Sequence, residues 1–146
     1  MKFPQKKSND ILDYYKDYTN ILGKVLETLN LKNLYKFSDL IERTILKNKN
    51  IFVCGNGGSA AIANHLVCDY IKLMRKNTNL KPKVISLSTS IELLTAISND
   101  FSYDKIFSDQ LDYLAKKGDL LILISSSGNS KNIINAIKHC KKNEIK

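Results

Sequence analysis

Ile51-Phe52-Val53-Cys54-Gly55-Asn56-Gly57-Gly58-Ser59 is the stretch on which the fold turns. Four apolar residues in succession, with no polar alternation, predict a strand buried on both faces. The glycines and serine that follow predict a tight turn into a helix. Further along, the pattern repeats. Lys83-Val84-Ile85-Ser86-Leu87 reads as a second strand after Pro82, and Leu120-Leu121-Ile122-Leu123-Ile124 as a third. Residues 59 to about 76 return to helical spacing through Ile62, Leu66, Tyr70 and Leu73. Ile91 to Ile97 and Tyr103 to Leu114 read as helices separated by a break at Ser98-Asn99-Asp100, and a last helix carries Ile133, Ile134 and Ile137. Buried strands alternating with helices predict an α/β fold. With right-handed crossovers this is a three-layer αβα sandwich around a parallel, doubly wound sheet.

Upstream, Ile11, Tyr15, Tyr18, Leu22, Val25 and Leu29 recur at spacings of four and three, one apolar stripe on a helix. Tyr14 and Ile21 widen it enough to touch two bodies at once, which suits an oligomer, while the heptads are too few to require a coiled coil. A second stripe, Leu34, Phe37, Leu40, Ile41 and Ile45, starts after Asn30–Asn33. The expected organisation is one domain over 1–146, with two helices in 1–48 ahead of the α/β core in 49–146. Three strands make a small sheet, and the last helix would normally deliver the chain to a fourth. The chain therefore reads as cut short at its C-terminal end.

Composition excludes several classes. Of 146 residues, 43% are hydrophobic and 25% charged, ordinary globular values that exclude wholesale disorder. The net charge of +9 prompts a nucleic-acid reading, but the excess is spread evenly, +4 over residues 1–50 and +5 over 51–146. Only Arg43 and Arg75 among the 23 cations are arginines, the residue that direct base readout favours. No nucleic-acid partner is expected. Cys54, Cys68 and Cys140 are odd in number and widely spaced, which fits reduced thiols in a cytoplasmic protein. No apolar h-region marks the N-terminus, and no stretch is long enough to cross a bilayer, so no membrane association is expected.

Two loops carry chemistry. Gly55-Asn56-Gly57-Gly58-Ser59 joins a strand to a helix, where glycines admit close approach and free N–H groups attract anions. A tight turn capped by Ser59 is the plainer alternative. Extended to Ala60 the loop meets G-x-G-x-x-A, but Leu73 to Ser90 contains no acid for a ribose, which argues against NAD. Ser125-Ser126-Ser127-Gly128-Asn129-Ser130 is a neutral phosphate cradle, with four hydroxyls where a structural loop needs one. His65 and Asp69 lie four apart on one helix face. They could form an acid/base unit, half of a metal site or a structural pair. Asn99-Asp100 could bind sugar hydroxyls or cap a helix, and His139 reads as solvated surface.

Together, Cys54–Ala61, His65, Asp69, Ile97–Asp100, Lys117–Asp119 and Ile124–Ser130 resemble the sugar isomerase (SIS) domain family. The resemblance is closest to its phosphoheptose isomerase branch and covers nearly the whole chain. It implies interconversion of sedoheptulose 7-phosphate and a heptose 7-phosphate, in a homotetramer with sites between subunits. Carried over residue by residue, Asn56, Gly57 and Gly58 match the first substrate loop, and Asn99 and Asp100 the second. Ser125, Ser126, Ser127 and Ser130 match the phosphate-binding serines. His65 matches a zinc ligand, and Asp69 stands where the family has a Glu serving as ligand and proton-transfer base. The shorter Asp and Leu73, in place of a family Arg, depart from the pattern. The Gln and His that the family draws from a C-terminal helix have no counterpart. The alternative is a non-catalytic phosphosugar-binding or regulatory module of the same fold.

Overall fold

The computed structural model describes residues 10–146, which divide into two compact units, the first up to Ser38 and the second Asp39–Lys146. In the first, helix α1 (Ile11–Glu27) starts where the Asp10 carboxylate accepts a hydrogen bond from Leu12 N at 3.1 Å. None of its residues is buried; Ile11, Tyr15, Leu22 and Val25 are exposed, as is Leu29, which lies two residues past the helix end and so outside the stripe expected of it. Helix α2 (Leu31–Leu46) spans the boundary in sequence.

The second unit is built around β1 (Asn50–Gly55), whose Ile51, Phe52, Val53 and Cys54 are each wholly shielded from solvent. Side chains alternate across a strand, so this run must be covered from both sides. Ile51 and Val53 join Ile41 and Ile45 of α2 and Ala63 of α3 (Gly58–Cys68) in one apolar cluster. Phe52 and Cys54 join Leu111 of α6 (Ser108–Leu114) and Ile133, Ala136 and Cys140 of α7 (Lys131–Lys142) in another. Each fully buried large side chain contributes about 1.5–3 kcal/mol relative to exposure. Strand β1 pairs in parallel with β2 (Lys83–Ser86) on one side and β3 (Leu120–Ile124) on the other, in the order β2-β1-β3. The three layers and the parallel sheet are those expected from the sequence.

Several local details differ from the sequence reading. Helix α5 (Ile91–Asp100) runs through Ser98 and Asn99, and the break falls at Phe101 and Ser102. Ser102 Oγ accepts from Asp104 N and starts a short 3-10 turn, Tyr103–Lys105. The polar residues that suggested a break form the outward-facing last turn of a helix. After α3 the chain widens into a π-helical turn, Asp69–Met74, before a last α turn, α4 (Arg75–Asn77). Spacing gives no sign of this, because Leu66, Tyr70 and Leu73 keep the four-and-three pattern of an ordinary α-helix. Strand β2 alternates, with Val84 and Ser86 buried and Lys83 and Ile85 exposed, as suits an edge strand. His139, expected at the surface, is partly exposed there, its Nε2 3.0 Å from Asn143 Nδ2.

At the amino ends of the strands, buried Asp119 accepts from Asn50 N and Lys116 N, each at 2.9 Å. Lys117-Gly118-Asp119 therefore pins β1 to the turn before β3, at the edge opposite the glycine and serine loops. Beyond α7, Lys146 N donates to Asp119 O and Leu121 N to Lys146 O, both at 2.8 Å. This is the bonding of a parallel neighbour beside β3.

Candidate functional site

The carboxyl end of β1 turns sharply at Gly55. A Cβ there would lie 2.7 Å from the backbone of Ser59, so only glycine permits the first turn of α3 to pack this closely. Gly57 has φ +53 and ψ −124, a conformation open only to glycine, and Gly58 begins the helix. Ser59 is the second residue of α3, so it does not cap the helix. The loop after β2 supports the turn, since Ser88 Oγ donates to Gly55 O at 3.1 Å and accepts from Gly55 N at 3.3 Å.

The loop after β3 is held by its own hydroxyls. Ser125 Oγ accepts from Gly128 N at 3.0 Å, and Ser127 Oγ accepts from Asn129 N at 3.3 Å. A hydroxyl that accepts in this way keeps its hydrogen as a donor for a ligand oxygen. Gly128 at φ +64 lets the chain curl. Ser126 and Ser127 are exposed, Ser125 and Ser130 half-buried. Ser130 occupies the N-cap of α7, but its hydroxyl makes no capping hydrogen bond. The serine loop thus presents hydroxyls at the positive end of a helix dipole. Lys131, the first residue of α7, adds a cation, 3.7 Å from Asp104 Oδ2.

These two loops follow adjacent parallel strands whose crossovers lie on opposite faces of the sheet. That is the topological switch point, where open α/β sheets bind ligands. The loops are tied together there. Asn56 Nδ2 donates to Asn132 Oδ1 at 3.0 Å, Asn132 Nδ2 donates back to Asn56 Oδ1 at 2.9 Å, and Tyr103 Oη donates to the same Asn56 oxygen at 3.0 Å. The sequence reading missed Asn132 and Tyr103. A signal existed for Asn132, an amide on the buried α7 stripe it shares with Ile133, Ala136 and Cys140.

The remaining candidates are placed differently. His65 Nε2 and Asp69 Oδ1 lie 3.5 Å apart, with 74% and 42% of their side-chain surfaces exposed. At 1.5 Å per residue His65 is about 10 Å along α3 from Gly58. Asp69 opens the π-helical turn, beside a shallow groove lined by Tyr70, Leu73, Met74 and Asn77. An imidazole nitrogen and a carboxylate oxygen suit zinc, yet among the described residues no group of three His, Cys, Asp or Glu is gathered for a metal. These two donors do not by themselves make a catalytic zinc site, which keeps three protein ligands. Asn99 Nδ2 donates to Asp100 Oδ1 at 2.9 Å, both exposed at the end of α5. Asp100 also borders a cavity of about 370 Å³ with Leu93, Ile97, Phe101, Gln110 and Tyr113. Its lining is mostly apolar, unsuited to a phosphate.

Cys54, one residue before the glycine turn, is no nucleophile. Burial, with Cys140 adding to it, pushes its thiol up to about 12, and burial pushes Cys140 up to about 11.

Residues 13–146 match the SIS domain. The chain belongs to the SIS domain family. It is 41% identical over 128 residues to the phosphoheptose isomerase of Aliarcobacter butzleri, covering 88% of this chain and 67% of that protein. It is 44% identical over 115 residues to a probable phosphoheptose isomerase of Thermoplasma acidophilum, covering 78% of this chain and 62% of the relative. Among solved structures, the phosphoheptose isomerase of Neisseria gonorrhoeae superposes with a TM-score of 0.82 at 29% identity, covering 92% of this chain and 69% of that one. That of Francisella tularensis gives 0.84 at 25%, covering 94% and 73%. This SIS chain thus spans about two thirds of the length of such relatives.

Proposed function

We propose that this SIS domain binds a phosphorylated sugar at the carboxyl edge of β1 and β3, and that the complete site isomerises sedoheptulose 7-phosphate to an aldose phosphate. The observation that carries the reading is the pair of loops at the switch point, one glycine-rich and one serine-rich, tied by the Asn56–Asn132 amides. Ser125, Ser126, Ser127 and Ser130 anchor the phosphate. Asn56, Gly57, Gly58, Asn99 and Asp100 bind the sugar. Aldose–ketose isomerisation moves a proton between C1 and C2 through an enediolate, which needs a base and a group to steady the oxygens. Asp69 is the base, with His65 beside it. A zinc ion would polarise those oxygens, taking His65 and Asp69 as two of its donors and at least one more from outside the described residues.

The exposed α1 stripe supports a homo-oligomer, a tetramer in which a neighbouring subunit completes the site. The free cysteines support a cytoplasmic setting. No helix among the described residues is long and apolar enough to cross a membrane. A second reading, a binding module without turnover, is favoured by the exposure of His65 and Asp69 and by the absence of a third donor among the described residues.

The test is calorimetry with sedoheptulose 7-phosphate together with an assay of aldose formation. Ser127→Ala is expected to weaken binding by about 1–3 kcal/mol, as for a hydrogen bond to a charged group. Unchanged affinity would remove the serine loop from the site. Turnover abolished by Asp69→Asn supports the isomerase; binding with no turnover at all, with or without zinc, supports the module.

A further inference from the structure

We infer that Asn132 is a positioning residue of this site: it fixes the Asn56 amide so that one N–H points to the sugar. The inference rests on the phosphosugar reading above and adds a residue to it. Asn132 is 1% exposed, yet an amide has no place on an apolar helix stripe unless its hydrogen bonds are met. Its oxygen accepts from Asn56 Nδ2 and from Ile133 N at 2.9 Å, and its nitrogen donates to Asn56 Oδ1. The consequence falls on Asn56. Its oxygen already accepts twice, from Asn132 and Tyr103, and one of its two N–H groups is committed to Asn132. What remains is a single N–H donor with its direction set from both sides. A rotated amide would present an oxygen acceptor in place of that N–H donor, so Asn132 and Tyr103 decide the polarity of this subsite. The same amide pair joins the β1 loop to the first turn of α7, so the sugar subsite and the phosphate loop keep a fixed spacing.

The two parts of the ligand separate this role from plain stability. Asn132→Leu is expected to weaken sedoheptulose 7-phosphate about tenfold, as for one well-placed hydrogen bond, and inorganic phosphate by less than about twofold. Added to Asn56→Ala, it is expected to cost nothing further. Equal weakening of both ligands, no weakening of either, or full additivity with Asn56→Ala overturns the inference. Tyr103→Phe removes only an exposed hydroxyl and serves if Asn132→Leu does not fold; the same selective loss in smaller measure is expected, and none overturns it. Failure of the wild-type chain to bind either ligand would overturn the phosphosugar reading, and the positioning role with it. The amide lock itself is read without ligand, from the Asn56 side-chain NH2 signals in nitrogen-15 NMR. They are expected to be shifted and slow to exchange in the wild type, and to collapse toward free-amide values in Tyr103→Phe and Asn132→Leu. Unmoved signals there show that no lock exists, whatever the ligand does.

Discussion

Cys54 sits where a nucleophile would be well placed, but its environment makes it a stabiliser with a pH limit. Its ordinary value is 9.0, and in the folded chain it is pushed up to about 12. Below about pH 9 folded and unfolded chains both hold the proton, so the thiol adds no pH dependence. Above that the unfolded chain releases a proton that the folded chain keeps, and stability falls as pH rises, by up to about 1.4 kcal/mol per pH unit. Urea unfolding at pH 8 and pH 10.5 should show a larger alkaline loss for the wild type than for Cys54→Ala, although the variant starts lower because it leaves a cavity. Parallel losses would mean that the thiol ionises alike in both states. At this scale the sequence was readable where a residue type is unusual for its loop, as with Ser125–Ser130, and unreadable where meaning depends on a distant partner. Nothing adjacent to Asn132 names Asn56, 76 positions away.

Among the elements, the turn from β1 into α3 carries the tightest steric demand. Gly55→Ala would place a methyl 2.7 Å from the backbone carbonyl of Ser59, which no side-chain rotation relieves. Strand and helix must part, at a cost of about 1–3 kcal/mol, and Asn56 moves with them. The variant should show a lower urea midpoint together with weaker phosphosugar binding. A variant with wild-type stability would show that the loop yields freely. The glycines were legible as a turn, because only a few residue types tolerate such backbone. The end of α5 was not, because Ser98 and Asn99 are as content in an exposed last turn as in a loop, and only Ser102 capping the next turn decides between them. The π-helical turn at Asp69 was hidden because Leu66, Tyr70 and Leu73 keep the four-and-three spacing of an ordinary α-helix.

For the whole molecule, the α1 stripe bears on assembly. Ile11, Tyr15, Leu22 and Val25 stay exposed in the single chain, more apolar surface along one helix than a monomer usually shows. The expected outcome is a sedimenting species heavier than one chain, with Leu22→Asp shifting it to monomer or aggregate. A wild type already monomeric at micromolar concentration would make the stripe irrelevant to assembly. His65 and Asp69 lie exposed, and among the described residues no third His, Cys, Asp or Glu is gathered with them.

By itself the sequence determined the layers. A strand apolar at every position, such as Ile51–Cys54, has to be covered twice, and solvent exclusion enforces that wherever the strand lies. It determined where the glycine and serine loops fall as well, because such clusters between an apolar strand and a helix mark the turn that joins them. Only the tertiary structure decided which loops meet. The order β2-β1-β3 puts the β1 and β3 loops side by side, which lets Asn56 and Asn132 meet, and the 3-10 turn that carries Tyr103 adds the third member of the hydrogen-bonded group. Periodicity describes a residue's own element; which element lies opposite is set by packing across the sheet, and a polar contact exists only once both sides are in place.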